Sequence, residues 1–222
     1  MSNFHPRYIS FDCYGTLIRF RMSELARTIF ADRIPADAME LFCRNFAAYR
    51  LDEVLGAWKP YSEVIHNAVR RTCKLWKIEF RAAEARQFYD AVPGWGPHPD
   101  VPAGLARVAA HIPLVILSNA ANEQIMQNVS QLGAPFHRVY TAEQAQAYKP
   151  RLQAFEYMFD QLGCSPSQMM HVSSSMRYDQ MSAHDLGFGA RVFVARGHEP
   201  AVPEYGIQQI RDISELPGVL GL

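Results

Sequence analysis

Polar side chains follow several apolar segments of the chain, and their types are those of a catalytic or ligand-binding site. Asp12 comes directly after the mostly apolar segment 8–11, and Ser118 and Asn119 follow the aliphatic segment 114–117. The other members of this set are Thr16, Lys149, Ser173, Ser174, Ser175 and Asp179. Each has an ordinary structural explanation when taken alone, because Asp, Asn and Ser also form turns and helix caps. Their combination favours a functional site if the fold brings them together.

The elements that must position these side chains are short strands that alternate with helices. Apolar segments predict strands at 7–12, 113–119, 136–142, 169–175 and 190–196, separated by helical patterns. Gly133 and Gly163 are predicted to follow the C-terminal ends of two of these helices, and Lys149 to lie at the start of one. The alternation predicts an α/β fold with a parallel sheet. The carboxyl ends of parallel strands lie at one edge, which would gather the polar residues there.

Residues 20–92 interrupt this alternation with four helical patterns and no convincing strand. The patterns lie at 22–34, 38–56, 61–77 and 81–92, and Ser23 is a candidate N-cap for the first of them. A segment rich in proline and glycine, 92–102, precedes the return of the alternation. We therefore expect a core domain made of 1–19 and 93–222, and a helical domain, 20–92, inserted after the first strand.

Composition excludes several classes of function. The 222 residues contain 22 Lys and Arg and 22 Asp and Glu, so a basic nucleic-acid or membrane-binding face is not indicated. The four cysteines are dispersed, which favours neither a zinc site nor a disulfide framework and indicates reduced thiols in a cytoplasmic protein. No apolar stretch reaches the length of a membrane span, and the N-terminal residues have no apolar core of a signal peptide.

Four segments, in order along the chain, resemble the motifs of the haloacid dehalogenase superfamily. They are FDCYGTL at 11–17, ILSNA at 116–120, AYKP at 147–150 and HVSSSMRYDQMSAHDLGF at 171–188. The likeness covers nearly the whole chain, including the helical insertion, and points more narrowly to the L-specific 2-haloacid dehalogenases. It implies a Rossmann-like parallel sheet with an inserted helical cap, and the hydrolysis of small 2-haloalkanoates to 2-hydroxyacids.

The resemblance also implies roles for the residues that surround the nucleophile. Asp12 would attack the substrate and form a covalent ester, which divides one difficult displacement into two easier steps. Lys149 would keep the Asp12 carboxylate ionised, because a nearby cation favours the charged form. Thr16 and Ser118 would donate hydrogen bonds to the reacting carboxylates.

The remaining residues of the set would serve the leaving group and the hydrolytic water. By the same resemblance, Asn119 would help to hold the substrate or the departing halide. Asp179, with Lys149 and the serines of the fourth motif, among them Ser174, would position the water that hydrolyses the ester.

Two positions separate this chain from the phosphatases of the superfamily. Those enzymes have a second aspartate two residues after the nucleophile, which protonates the leaving group, and this chain has Tyr14 there. They also bind Mg²⁺ with an acid of the fourth motif, at the position of Ser174. A halide leaves without a proton, so we expect carbon–halogen cleavage with no metal and no cofactor. A phosphatase with an atypical acid and a non-catalytic binding protein are the alternatives.

The substrate carboxylate calls for a cation from the helical insertion. The segment ELFCRNFAAY resembles the part of the cap in which this family has its active-site arginine, which implies Arg44, with Arg33 and Arg50 as competitors. An apolar wall for the substrate could be formed by Tyr14, Phe46 and Trp58, although the last two could equally be packing residues. A small haloacid is the expected partner, and a homodimer is implied by the resemblance alone.

Two positions depart from the pattern of the dehalogenases. Those enzymes typically have an asparagine three residues before the last aspartate, where this chain has Met176. They typically have a tyrosine six residues after the lysine, where this chain has Phe155, and Tyr157 would face another side of the helix. Substrate preference, or the dehalogenase activity itself, is the property that these changes would alter.

Overall fold

A parallel sheet of six strands organises the larger part of the computed structural model, which describes residues 4–222. The strands are β1 (Tyr8–Phe11), β2 (Leu114–Ser118), β3 (Arg138–Thr141), β4 (Met169–Ser173), β5 (Ala190–Val194) and β6 (Gln208–Ile210). They lie in the order β3-β2-β1-β4-β5-β6, and each neighbouring pair is parallel. All five predicted strands are present, and the predicted α/β fold class is confirmed.

The helices account for most of the remaining regular structure in residues 4–222. They are α1 (Met22–Ile29), α2 (Met39–Leu55), α3 (Tyr61–Trp76), α4 (Ala82–Ala91), α5 (Val101–Ala109), α6 (Asn122–Val129), α7 (Ala142–Ala145), α8 (Leu152–Leu162), α9 (Met181–Asp185) and α10 (Leu216–Val219). Gly163 ends α8 in the left-handed conformation, as predicted. The prediction for Gly133 is wrong, because α6 ends at Val129 and a turn separates the two. None of the helices in this part of the chain has the length and apolar character needed to cross a membrane.

The chain divides into two compact units, Met1–Arg19 with Gly96–Leu222, and Phe20–Trp95. We call the second, which contains α1 to α4, the helical unit. It extends three residues beyond the expected boundary at 92, because the short 3-10 helix Val92–Gly94 continues directly from α4. Its interior is aromatic, with ring contacts among Phe30, Phe42, Phe46 and Phe88. The predicted N-cap at Ser23 is wrong, since Ser23 lies inside α1 and Arg21 occupies the N-cap position without a side-chain bond.

The sheet order determines where a site can form in the first unit. β1 lies at the centre, with β2 on one side and β4 on the other, so the chain reverses its direction of sheet growth at β1. Ligands of open α/β sheets bind at such a reversal, beyond the carboxyl ends of the strands. Asp12 follows β1, Ser118 ends β2 and Ser173 ends β4, which places all three at this edge.

Candidate active site

The carboxylate of Asp12 is held by the turn that follows β1. The backbone N–H of Asp12 donates to the carbonyl of Val172, which continues the pairing of β1 with β4 for one more residue. Gly15 adopts φ +99°, a left-handed conformation that favours glycine, and the chain then reverses. The reversal brings Thr16 back so that its hydroxyl donates to Asp12 Oδ2 at 2.7 Å. The local sequence therefore places the buried carboxylate at the carboxyl edge of the sheet and fixes its orientation.

Lys149 joins the two aspartates of the set. Its ammonium donates to Asp12 Oδ1 at 3.0 Å and to Asp179 Oδ1 at 2.6 Å, and the side chain is only 1% exposed. Contrary to expectation, Lys149 does not begin a helix, since it lies in the turn between α7 and α8. The amide of Asn119 holds this turn, because Nδ2 donates to the Lys149 carbonyl and Oδ1 accepts the Lys149 N–H.

Asp179 is a completely buried carboxylate with three donors. Lys149 Nζ and His171 Nε2 lie within hydrogen-bond distance of Oδ1, and the Ser173 hydroxyl donates to Oδ2 at 2.9 Å. Ser173 and His171 stand two residues apart on β4, so their side chains share one face of the strand. The backbone N–H of Ser175 donates to the Ser173 oxygen and completes this arrangement.

The electrostatics distinguish the two carboxylates. Burial raises the pKa of Asp12 above its ordinary value, although the charge of Lys149 opposes the rise, and repulsion from Asp179 adds to it. Burial alone would also raise the pKa of Asp179, but Lys149 and the hydrogen bond from His171 outweigh it and lower that pKa. Burial likewise opposes the charge of Lys149, yet the two carboxylates raise its pKa. Asp179 and Lys149 are therefore a stable ion pair, and Asp12 is the more basic carboxylate.

Ser174 and Tyr14, two further predicted residues, form hydrogen bonds with other residues rather than with Asp12. The N–H of Ser174 donates to Thr16 Oγ1 at 2.9 Å, and its hydroxyl lies 3.2 Å from the same oxygen. The Tyr14 hydroxyl donates to Oδ1 of Asn128 in α6 at 2.7 Å. Ser118 Oγ is buried and has no hydrogen-bond partner among residues 4–222, so it does not donate to Asp12. An unpartnered buried hydroxyl at a sheet edge is a candidate for contact with a ligand.

The predicted residues of the helical unit differ in what surrounds them. Arg44 is exposed on α2 and has no ion pair within the described part of the chain, whereas the guanidinium of Arg33 is engaged by Glu84. Arg50 stacks on the rings of Phe20 and Phe46, with 4.9 and 5.0 Å to the ring centroids. The side chain of Phe46 is buried. The indole Nε1 of Trp58 is also buried, and it has no hydrogen-bond partner in residues 4–222.

The two departures from the dehalogenase pattern are both buried. Met176 lies at the start of a π-helical segment, and its N–H donates to the carboxylate of Glu199 at 2.7 Å. Phe155 packs edge-on against His171, with 5.7 Å between ring centroids. Tyr157 instead contacts the ring of Tyr140, so it does not replace the missing hydroxyl at 155.

Three residues of this site were missed by the sequence reasoning. His171 and Ser10 lie inside β4 and β1, and Glu199 accepts hydrogen bonds from Ser175 Oγ and from the N–H groups of Met176 and Arg177. The available signal for His171 was a histidine within an apolar strand, two residues before a serine that was already a candidate.

The donor set does not fit a magnesium ion. Asp12 accepts from Thr16 and Lys149 at its two oxygens, and Asp179 accepts from its own three donors. Mg²⁺ requires oxygen ligands in near-octahedral geometry, and the position that would supply a further carboxylate is Ser174. No group of three or more His, Cys, Asp or Glu side chains in residues 4–222 is arranged to hold a metal.

Comparison with known proteins agrees with this geometry. The haloacid dehalogenase-like hydrolase family matches residues 6–187 of the chain. (S)-2-haloacid dehalogenase H-109 of Pseudomonas putida is 27% identical over 220 residues, which are 94% of this chain and 95% of that protein. The (S)-2-haloacid dehalogenase of Pseudomonas sp. (strain YL) is 25% identical over 94% of this chain and 93% of its own length. The L-2-haloacid dehalogenase of Xanthobacter autotrophicus with chloropropionic acid covalently bound has a TM-score of 0.77, at 19% identity over 98% of this chain and 99% of its own.

Proposed function

Because the chain belongs to the haloacid dehalogenase-like hydrolases, we propose that it cleaves the carbon–halogen bond of small 2-haloalkanoates to give 2-hydroxyacids and halide. The observation that carries this proposal is that Tyr14 and Ser174 occupy the positions at which a metal-dependent phosphatase of the superfamily would need a proton donor and a metal-ligating acid. Lys149 bridges Asp12 and Asp179 in the same site. The names of the relatives, (S)-2-haloacid dehalogenases, support the same reaction, and the covalent chloropropionic acid of the Xanthobacter protein supports an ester intermediate.

In the first step, a carboxylate oxygen of Asp12 forms a bond to C2 of the substrate as the carbon–halogen bond breaks. The halide leaves with the bonding electrons, and attack from the opposite side inverts the carbon. Lys149 keeps Asp12 ionised, and the Thr16 hydroxyl fixes its orientation. A halide ion is a weak base, so this step requires no general acid.

In the second step, a water oxygen adds to Cγ of the Asp12 ester, and a proton of that water passes to Asp179. The bond between Cγ and the ester oxygen then breaks, and the departing alkoxide takes the proton from Asp179. The new carboxyl group of Asp12 loses its proton to solvent, which restores the nucleophile. Lys149 stabilises the charge that develops on the ester carbonyl oxygen, and Ser173 and Ser174 hold Asp179 and Thr16 in place.

The substrate carboxylate requires hydrogen-bond donors and a cation. Ser118 contributes an unpartnered buried hydroxyl, and Asn119 has a second Nδ2 hydrogen beyond the one used on Lys149. We assign the cation that binds this carboxylate to Arg44, which is exposed on α2, with Arg50 as the competitor. Tyr14 and Trp58 are assigned to the apolar wall, whereas Phe46 is buried in the aromatic interior of the helical unit and is assigned a packing role.

A phosphatase activity is the alternative and is disfavoured by the donor set. Phosphoryl transfer by this family requires a metal and an acid for the leaving group. The positions concerned hold Ser174 and Tyr14, and the Tyr14 hydroxyl donates to Asn128. The buried ion pairs of Lys149 also argue against a non-catalytic binding protein, since buried charges at one edge are costly unless they are used.

The test is a panel of 2-haloacids, assayed for halide release with and without EDTA. We expect release from chloroacetate or an L-2-haloacid that EDTA does not reduce, and its loss in Asp12→Ala. Asp160→Ala, an exposed position on α8, is the matched control and should retain activity. Absence of halide release throughout the panel, together with magnesium-dependent release of phosphate from phosphorylated metabolites, would contradict the proposal.

The remaining parts of the proposal concern assembly and location. The resemblance to the L-specific 2-haloacid dehalogenases is the ground for proposing a homodimer, which light scattering after size-exclusion chromatography would detect. The four free, buried cysteines support a cytoplasmic protein. The balance of 22 Lys and Arg with 22 Asp and Glu supports a small haloacid, rather than nucleic acid or a membrane, as its partner.

A further inference from the structure

His171 is a completely buried histidine with a polar partner at each ring nitrogen. Nε2 lies 3.0 Å from Asp179 Oδ1, and Nδ1 lies 2.8 Å from the hydroxyl oxygen of Ser10. Ser10 and Asp179 are also fully buried, so bulk solvent does not compete for the two contacts of the imidazole. Phe155 and Phe188 contact the imidazole, at 5.7 and 5.4 Å between centroids, and restrict its rotation.

The partners determine where the ring proton lies. The Asp179 carboxylate can only accept, so Nε2 must carry a hydrogen and donate it. In the neutral imidazole Nδ1 is then an acceptor, and the Ser10 hydroxyl is placed to donate to it. Ser10 thus selects the tautomer that holds Asp179. The same hydroxyl has a second acceptor, the carbonyl of Met170 at 3.3 Å, to which it can turn.

The donors to Asp179 leave little of its acceptor capacity free. A carboxylate offers about four acceptor positions. Lys149 and His171 occupy two at Oδ1, and Ser173 occupies one at Oδ2. The remaining position is on Oδ2. A carboxylate anchored in this way through Oδ1 can present Oδ2 to a water in a single orientation.

We propose that Ser10 and His171 form a positioning pair that orients Asp179 to take a proton from the hydrolytic water, an inference that rests on the function proposed above. The pair acts in the second step only, because attack of Asp12 on carbon involves no proton transfer. Phe155 packs against the His171 ring but has no hydroxyl to offer Asp179. The hydrogen bond to Asp179 therefore comes from His171.

The kinetic test uses His171→Phe and Ser10→Ala. Slower ester hydrolysis lowers kcat and KM together and leaves kcat/KM, which is set by the steps up to ester formation, nearly unchanged. We expect kcat to fall about 10- to 100-fold in His171→Phe and by less in Ser10→Ala, because a hydrogen bond to a charged group is lost. Mass spectrometry during turnover should detect more enzyme that carries the substrate adduct on Asp12.

Two further variants separate positioning from packing. His171→Gln keeps a donor and should restore most of the kcat lost in His171→Phe. Phe159→Leu alters the packing of the same cluster at a ring that contacts Phe188, without removing a polar atom, and it should leave the fraction of ester unchanged. An equal fall of kcat and kcat/KM in His171→Phe, with no accumulation of ester, would overturn the positioning role.

A measurement without substrate keeps this inference separate from the proposed function. Nitrogen-15 NMR of the wild-type ring should find the neutral form protonated at Nε2, with a proton that exchanges slowly with water, and Ser10→Ala should lose this preference. A proton on Nδ1 of the neutral ring would overturn the inference even if the enzyme releases halide. A protein that releases no halide but has the Nε2 proton would refute the dehalogenase proposal and retain the tautomer assignment.

Discussion

Replacement of Lys149 by methionine removes the cation that two buried carboxylates share. At about 3 Å and an effective dielectric constant of about 20, each unit-charge pair attracts by about 5 kcal/mol. Desolvation offsets part of this attraction, and the removal of one partner of a buried ion pair typically costs about 3–5 kcal/mol. The variant can relieve the repulsion between Asp12 and Asp179 by binding a proton. We expect Asp12 to take it, because Asp179 keeps the hydrogen bonds from His171 and Ser173, whereas Asp12 keeps only that from Thr16.

Protonation of Asp12 removes the nucleophile, so the loss should be kinetic. A loss of about 3–5 kcal/mol in the transition state corresponds to a decrease of about 10²- to 10⁴-fold in kcat/KM at neutral pH. The acid limb of the pH profile should move to higher pH, and part of the activity should return as the pH is raised. Halide release across the pH range measures both effects, and urea denaturation measures the fraction folded.

Lys74→Met provides the control, because Lys74 is exposed on α3 of the helical unit. It should change neither the pH profile nor the rate. A folded Lys149→Met with a rate within threefold of the wild type and an unmoved acid limb would refute the reasoning.

The other predictions concern the nucleophile and the cap cation. Thr16→Val should lower kcat about 10- to 100-fold and destabilise the fold by about 1–3 kcal/mol in urea, because it removes the bond to Asp12 and leaves the Ser174 N–H unpaired. In the wild type, kcat/KM for halide release should fall with decreasing pH at a value above 3.8, the ordinary pKa of aspartate, since the raised pKa protonates Asp12 earlier. Arg44→Ala should raise KM for haloacids at unchanged stability. The same effect in Arg50→Ala alone would transfer the role to Arg50.

The approach of Asp12 to Lys149 was predictable because it depends on backbone topology. Asp12 and Lys149 are 137 residues apart in sequence, yet both follow elements of one parallel sheet, whose carboxyl ends lie at one edge. Alternation of strands and helices suffices to predict that they meet. The pattern does not specify which atoms touch, and Ser118, predicted to donate to a carboxylate, has no partner in the described part of the chain.

The residues that the sequence did not reveal lie where periodicity carries no signal. β1 and β4 are buried on both faces, so the polar Ser10 and His171 do not alternate with exposed positions. The edge strand β6 was missed for the opposite reason, since only Ile210 of its three residues is buried. The sequence also does not show in which direction the side chains of α2 point, so Arg44 and Arg50 are both candidates.

The identity of the leaving group follows from what surrounds Tyr14. The alkoxide that leaves a phosphate ester departs readily only when it is protonated. The acid that protonates it must lie close to the nucleophile. Tyr14 occupies that position in sequence, but its hydroxyl donates to Asn128 at 2.7 Å. The ammonium of Lys149 donates to both Asp12 and Asp179, whose charges raise its pKa, so it is a poor acid. The first step of the proposed reaction therefore suits a group that departs as a stable anion. In the second step Asp12 is esterified, so Asp179 is the carboxylate that we propose to take the proton of the water.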